Sequence, residues 1–337
     1  MPAEWEMHQA TWLVWPTNKD TFPGGLMEEV EQTYVKMIKE LAAAESVELL
    51  VEDEKAKDRV GSMIGRNNNV IFHQVKTADV WVRDYGPIFV KNSNGVAAIK
   101  WSFNAWGNKY EDLKADDEKG MEIARSTGMK IFTPNMVLEG GSIEVNGLGT
   151  GITTRQCLLN QNRNPQLSER EIAQNLKDYL GITKLIWLDS GIDGDDTDGH
   201  VDDIARFVNA KTVLCMTEDN KTDKNWPILK ENLEILTTAI DQEGSRIKVI
   251  PISMPKRIDG SDGRLPASYA NFYIANAVVL VPTYGSSNDR TVLATFQALF
   301  PDRKIVGIDC RSLVYGLGAI HCVTQQQPCS NTRSLAC

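Results

Sequence analysis

The chain has 337 residues, with 45 Asp plus Glu against 36 Lys plus Arg and a net charge of −9, which argues against nucleic acid or an anionic membrane as partner and favours cationic ligands. The length allows a large core, in two domains or in one barrel-like domain. The apolar run at 277–282 is too short to span a membrane, the Met1-Pro2-Ala3-Glu4-Trp5 start lacks a signal-peptide pattern, and six scattered cysteines fit neither a zinc spacing nor a disulfide framework, so a cytoplasmic protein is expected.

Five similar units follow one another along the chain. Each opens on an amphipathic helical stretch, near 26–44, 115–127, 168–180, 227–241 and 287–300. In the first, Met27, Val30, Tyr34, Ile38 and Leu41 recur at helical spacing with Glu and Lys between them. A short apolar strand follows each helix, at 47–51, 130–132, 184–188, 248–251 and 304–308. A strand pair comes next, and three pairs are plain: 88–90 with 96–99, 206–208 with 212–214, and 272–274 with 278–281. The last unit lacks a final strand, which residues 10–16 could supply. A ring of five small sheets leaves only short edges. This reading predicts one α/β domain over 1–328, a closed ring of five units around a central pocket, and an irregular tail over 329–337. The polar stretch 102–114, with Phe103, Trp106 and Tyr110, reads as a lid or as an exposed insertion.

The chemically loaded residues share one place in their units, just after the apolar strand. Asp84 lies in Trp81-Val82-Arg83-Asp84-Tyr85-Gly86-Pro87, Glu139 in Glu139-Gly140-Gly141-Ser142, and His200 and Asp202 in Asp198-Gly199-His200-Val201-Asp202. On a strand, His200 and Asp202 would share a face. Cys322 follows Tyr315-Gly316-Leu317-Gly318 near the end of the chain and is expected on a strand at the edge of the core. A thiol, an imidazole and two carboxylates suit nucleophilic attack on a cationic, electron-poor carbon such as that of a guanidinium.

At these residues the chain resembles the agmatine deiminases, within the pentein superfamily of guanidine-modifying enzymes, and is similar also to the bacterial peptidyl-arginine deiminases. The resemblance runs over nearly the whole chain. It includes His8, Thr11-Trp12-Leu13-Val14-Trp15-Pro16, Phe103-Asn104-Ala105-Trp106-Gly107, Leu158-Leu159-Asn160-Gln161-Asn162-Arg163-Asn164-Pro165, Ser268-Tyr269-Ala270-Asn271-Phe272-Tyr273 and His321-Cys322-Val323-Thr324-Gln325-Gln326. It implies a five-bladed α/β-propeller that hydrolyses agmatine to N-carbamoylputrescine and ammonia, a step of putrescine and polyamine supply.

The resemblance also implies roles. Cys322 is the nucleophile that forms an S-alkylthiouronium adduct, and His200 is the acid and base. Asp84 and Asp202 clamp the guanidinium through paired hydrogen bonds. Glu139 orients His200. His321, beside the thiol, is expected to pack behind the site, and Cys157, Cys215 and Cys310 to be buried fillers.

The substrate's ammonium needs an acidic or aromatic wall, for which Asp195, Asp196, Asp198, Trp81 and Trp106 are candidates. Some agmatine deiminases carry Glu where this chain has Asp196, so the shorter side chain calls for a bridging water. Arg83 and Arg155 are the candidates for reading an α-carboxylate, which free arginine would require. His200 and Asp202 lack the further ligands of a zinc centre, and no P-loop or dinucleotide fingerprint is present, so neither metal nor cofactor is expected. The competing readings are a peptidyl-arginine deiminase producing citrulline residues, an amidinotransferase that shields its adduct from water, and a non-catalytic binding protein of the same fold. A small cationic guanidine is the expected partner, and a homo-oligomer is compatible with the sequence.

Overall fold

The computed structural model describes residues 1–261 and 263–330. Among the described residues, five mixed sheets share one construction. An antiparallel strand pair is followed by a helix, and the chain returns as a third strand parallel to the second. Strands Ile88–Asn92 and Gly95–Ile99 pair in this way, with Lys130–Phe132 parallel to the second. The same holds for Ile143–Val145, Thr150–Thr154 and Lys184–Leu188. It holds again for Ala205–Asn209, Thr212–Thr217 and Lys248–Ser253, and for Tyr273–Ile274, Val278–Thr283 and Lys304–Asp309.

The fifth sheet joins the two ends of the chain. Strand His8–Val14 is antiparallel to Gln325–Pro328 and parallel to Ser46–Val51. Strand Val70–Gln74 extends this sheet. The five expected helices lie at Leu26–Leu41, Asp116–Ser126, Glu169–Leu180, Asn225–Thr238 and Asp289–Leu299.

These helices form for local reasons. In Leu26–Leu41 the buried positions Met27, Val30, Tyr34, Ile38 and Leu41 repeat every three or four residues. Glu28 and Glu29 in the first turn and Lys39 in the last complement the helix dipole. Its apolar face covers strands Ser46–Val51, Val278–Thr283 and Lys304–Asp309. Helix Glu169–Leu180 starts at a Ser168–Glu171 capping box and stops at left-handed Gly181. The middle strands Thr212–Thr217 and Val278–Thr283 are buried at all but their last residue, so they read as unbroken apolar runs.

Two expectations need correction. The strand after each helix belongs to the sheet of the preceding pair, not to the unit that follows, because the helical crossover sets it parallel to the strand just left. A further helix, Glu54–Ile64, and its strand Val70–Gln74 were not expected. Cys157, Cys215, Cys310 and Cys322 are free and buried. Beyond Ser330 the expected irregular tail lies outside the described residues. No helix among the described residues is long and apolar enough to cross a membrane.

Candidate active site

Turns between the sheets, rather than strands, carry the loaded side chains. Asp84 lies in the single helical turn Val82–Tyr85, where its carboxylate accepts from Gly141 N and from Trp106 Nε1, each at 2.9 Å. His200 immediately precedes the 3₁₀ turn Val201–Asp203. The expectation of a strand there fails because Asp198 and Gly199 are both left-handed, at φ of 67° and 91°. Asp195 ties this bend down by accepting from the backbone N–H of Gly199 and His200 at 2.9 and 3.0 Å. Cys322 likewise lies in a turn, between the 3₁₀ segment Leu313–Gly316 and strand Gln325–Pro328.

These turns meet. His200 Nδ1 is 3.8 Å from Asp84 Oδ1, and Cys322 Sγ is 3.8 Å from Asp202 Oδ2. Gly141 lies among them. A Cβ on it would come 2.6 Å from His200 Nδ1 and 3.0 Å from both Asp202 Oδ2 and Asp84 Oδ1. Only glycine lets this backbone approach so closely. Asn271 donates to Cys322 Sγ at 3.1 Å, and its Oδ1 accepts from the backbone N–H of His321 and Cys322.

Glu139 is buried here but does not hydrogen-bond His200, contrary to the orienting role expected of it. Its Oε1 accepts from Arg163 Nε at 2.6 Å, and its Oε2 has no protein partner. Both ring nitrogens of His200 and Oδ1 of Asp202 are also buried without a protein partner. Cys157 is buried as expected, yet its sulfur, a Glu139 oxygen and a His200 nitrogen lie within 4.8 Å of one another. The Arg163 guanidinium already supplies the positive charge beside Glu139, so we assign no metal there. His321 does lie behind the site, though not for the strand-alternation reason; it bonds Asp202 Oδ2 through Nδ1 at 2.7 Å.

A cavity of about 330 Å³ opens onto Asp84 and Cys322. Trp81, Trp106 and Tyr110 form its aromatic walls, and Asp20, Asp79, Asp84, Asp112 and Asp196 supply carboxylates. Neither Lys nor Arg lines it among the described residues. Of the three acids proposed for an ammonium, Asp196 alone reaches the cavity; Asp195 caps the His200 bend, and Asp198 is taken by Lys109, Asn162 and Arg163. Arg83 and Arg155 stay away from it. The first is buried against Gln326 and Glu4, and the second pairs with Glu169 at the surface.

The stretch 102–114 is a strap laid across this cavity and not an exposed insertion. Tyr110 donates to Asp196 at 2.5 Å, Lys109 to Asp198 at 2.7 Å, and Asn104 to Asn162 O at 2.9 Å. Its turn is tight, with Ala105, Trp106, Gly107 and Asn108 all at positive φ.

Protonation follows from burial and crowding of charge. Burial, then Asp202, Asp203 and Asp84, push the Cys322 thiol well above its ordinary value. Burial would lower His200, but Asp84, Cys157 and Asp202 outweigh it and hold its pKa well above the ordinary 6.5. Burial raises Asp84 to about 6 despite the opposing pull of His200. Burial would also raise Asp202, but its bond to His321 keeps it below the ordinary carboxylate value. These directions make Cys322 a neutral thiol and His200 an imidazolium.

Sequence reasoning singled out neither Arg163 nor Asn271, although both lie in segments that carry the resemblance. Their signal is chemical: a buried cation and a buried amide need partners, and each finds them among site residues.

The agmatine deiminase of Ectopseudomonas mendocina is 37% identical over 355 residues, covering 97% of this chain and 95% of that one. The structure of the agmatine deiminase of Enterococcus faecalis matches with a TM-score of 0.91 at 34% identity, over 98% of this chain and 95% of its own. A substrate-bound Cys→Ser variant of the C. jejuni agmatine deiminase matches with a TM-score of 0.89 at 30% identity, over 98% and 96%. The model of the Porphyromonas-type peptidyl-arginine deiminases matches residues 1–328, and the chain belongs to that family, which takes in these agmatine deiminases.

Proposed function

We propose that this protein hydrolyses agmatine to N-carbamoylputrescine and ammonia, in putrescine supply. The observation that carries the reading is the cavity wall: among the described residues, five carboxylates and no Lys or Arg line a path that reaches Cys322. Agmatine is cationic at both ends, so it gains at both ends of such a cavity. Free arginine would bring an α-carboxylate with no cation to meet it. A peptidyl-arginine substrate would have to leave its backbone outside, and the strap from Trp106 to Tyr110 narrows that exit. Full-length identity to agmatine deiminases supports the same reading.

The chemistry then runs on this chain's own side chains. Asp84 and Asp202 accept from the guanidinium N–H groups and set its carbon beside Cys322 Sγ. The guanidinium charge lowers the thiol's pKa, and the thiol proton leaves to solvent. The thiolate attacks the carbon. His200, cationic at rest, protonates one amine, the C–N bond breaks, and ammonia leaves; the S-alkylthiouronium cation and a neutral imidazole remain. That imidazole takes a proton from water as the hydroxide adds to the same carbon. The C–S bond then breaks, the thiolate is regenerated, and the ureido product sheds its surplus proton. Glu139 and Arg163 fix the wall behind His200.

The five sheets are read as the blades of a propeller closed by strand His8–Val14, with residues 1–328 as one domain, and the protein is placed in the cytoplasm. The test is ammonia release from agmatine, free arginine and a peptidyl-arginine. Agmatine should be turned over fastest; faster turnover of the peptide would overturn the reading.

A further inference from the structure

His321 lies next to the nucleophile in sequence, yet both of its ring nitrogens face carboxylates. Nδ1 is 2.7 Å from Asp202 Oδ2, and Nε2 is 2.9 Å from Glu4 Oε2. Glu4 comes from the opposite end of the chain, 317 residues away. Its other oxygen accepts from Arg206 Nη2 and from Ile274 N, each at 2.8 Å. All three side chains are buried.

A carboxylate only accepts hydrogen bonds, and a neutral imidazole has a single N–H. Two such contacts therefore need two N–H groups, or a proton on one of the acids. The acids are poor homes for it: Arg206 and His321 outweigh burial at Glu4, His321 does so at Asp202, and both are held below the ordinary carboxylate range. Charged groups face His321 from every side: Glu4 on the N-terminal segment, Asp202 on the 3₁₀ turn, Arg206 on its strand and Arg83 on its helical turn. Burial and the two arginines oppose a charge on the ring and pull its pKa below the ordinary value against Glu4 and Asp202; the geometry argues the other way, because two contacts of 2.7 and 2.9 Å to acids that are both ionised need two N–H groups. Arg206 is shared between Glu4 at 2.8 Å and Glu144 at 2.7 Å.

We propose that His321 and Glu4 are positioning residues for the guanidinium clamp: a doubly protonated His321 spans Glu4 and Asp202 and locks Asp202 through Oδ2, which leaves Oδ1 as the acceptor for substrate. This rests on the reading that Asp202 receives a guanidinium. The absence of any protein partner on Asp202 Oδ1 is the companion observation. The imidazolium also places a positive charge on the residue next to Cys322, where the carboxylates otherwise oppose a thiolate.

The test uses nitrogen NMR of the imidazole rings in the free full-length protein, with the His321 signal assigned from its loss in His321→Gln. At about pH 8, above the ordinary imidazole pKa of ~6.5, both His321 nitrogens should carry protons. In Glu4→Gln the amide oxygen is needed where Arg206 and Ile274 donate, so the amide NH2 faces Nε2 as a donor, and with the charge also gone the ring should become neutral near that pH. For agmatine, kcat/KM of Glu4→Gln should fall about ten- to a hundredfold, mostly through KM, the effect expected of losing a charged hydrogen-bond partner. The deficit relative to wild type should narrow toward about pH 6, where the ring regains its proton; a packing defect would not narrow. A single protonated nitrogen in the wild type overturns the proposal, as does Glu4→Gln with unchanged ring state and wild-type KM. Should the wild type turn over no guanidine compound, the functional reading falls, and the ring state still decides the Glu4–His321–Asp202 line.

Discussion

Gly141→Ala is a sharp test of the site, because one methyl group would enter where three functional side chains meet. The position is not conformationally special: its φ lies outside the left-handed region, so alanine costs nothing in backbone strain. Space decides. The added carbon would lie 2.6 Å from His200 Nδ1 and 3.0 Å from one oxygen each of Asp84 and Asp202. Ordinary carbon contacts need about 3.5 Å or more, so His200 must move by close to an ångström and the two carboxylates by about half of one. All three are buried and held by packing, and such overpacking costs about 1–3 kcal/mol. A displacement of about 1 Å from reactive geometry costs on the order of a hundredfold in rate. Thermal unfolding and ammonia release from agmatine measure the two effects on one preparation. Gly61→Ala is the control of opposite sign. It lies inside helix Glu54–Ile64 with nothing within 4 Å of an added Cβ, so it should raise Tm by about 1–2 °C, from roughly 0.5–1 kcal/mol of helix preference, with no change in turnover. A Gly141→Ala protein within about twofold of wild-type kcat/KM would refute the convergence of these groups on one guanidinium.

Cys322→Ser should abolish turnover while leaving agmatine binding measurable, and intact mass of the wild type during turnover should reveal an adduct on the Cys322 peptide. Asp196→Asn should weaken agmatine by about 1.5–3 kcal/mol relative to a neutral alkylguanidine; equal loss on both would remove Asp196 from ammonium reading. Asp84, at about 6 in the free site, cannot accept from a guanidinium once protonated, so kcat/KM for agmatine should fall below that pH about tenfold per unit. The same raised value means that the folded state is penalised for an ionised Asp84. The penalty is full above about 6 and disappears as pH falls toward the ordinary 3.8. A bound guanidinium relieves it, so agmatine should raise the Tm of Cys322→Ser more at pH ~8 than at pH ~5.

The elements were legible where one face of a local segment is buried. Met27, Val30, Tyr34, Ile38 and Leu41 announce their helix because all five are buried on it. Helix Glu54–Ile64 was missed because only Val60 and Ile64 are buried on it; the cap of Asp53 on Ala56 N was its one clear signal. How strands divide into sheets was not legible, since a parallel pairing across a helix leaves no mark in either strand. The loaded side chains stood out by chemical type, but their local backbone did not. Asp198 at φ 67° and the turn at Cys322 replace the expected strands, and Asp195, which builds the first bend, reads in sequence as one more acid in an acidic run.

What the sequence could not display at all is which polar atoms go without partners. Among the described residues, Glu139 Oε2 and Asp202 Oδ1 are buried with no hydrogen-bonding group to meet them, and the His200 ring meets Asp84 only at 3.8 Å. An unmet buried polar atom costs about 1–3 kcal/mol, so a protein that keeps two such oxygens in one site keeps them at the expense of stability. Their neighbours are satisfied in detail: Asp84 by Gly141 and Trp106, Asp202 Oδ2 by His321, Glu139 Oε1 by Arg163. The contrast has direction. Asp202 and Glu139 are each tied through one oxygen and open at the other, which fixes the carboxylate and leaves an acceptor, whereas Asp84 is held through both oxygens. A planar cation with N–H groups along its edges can meet such acceptors through several donors at once, which a spherical ion cannot do. The preference for a guanidinium thus resides in the unpaired atoms, and the paired ones hold them in place.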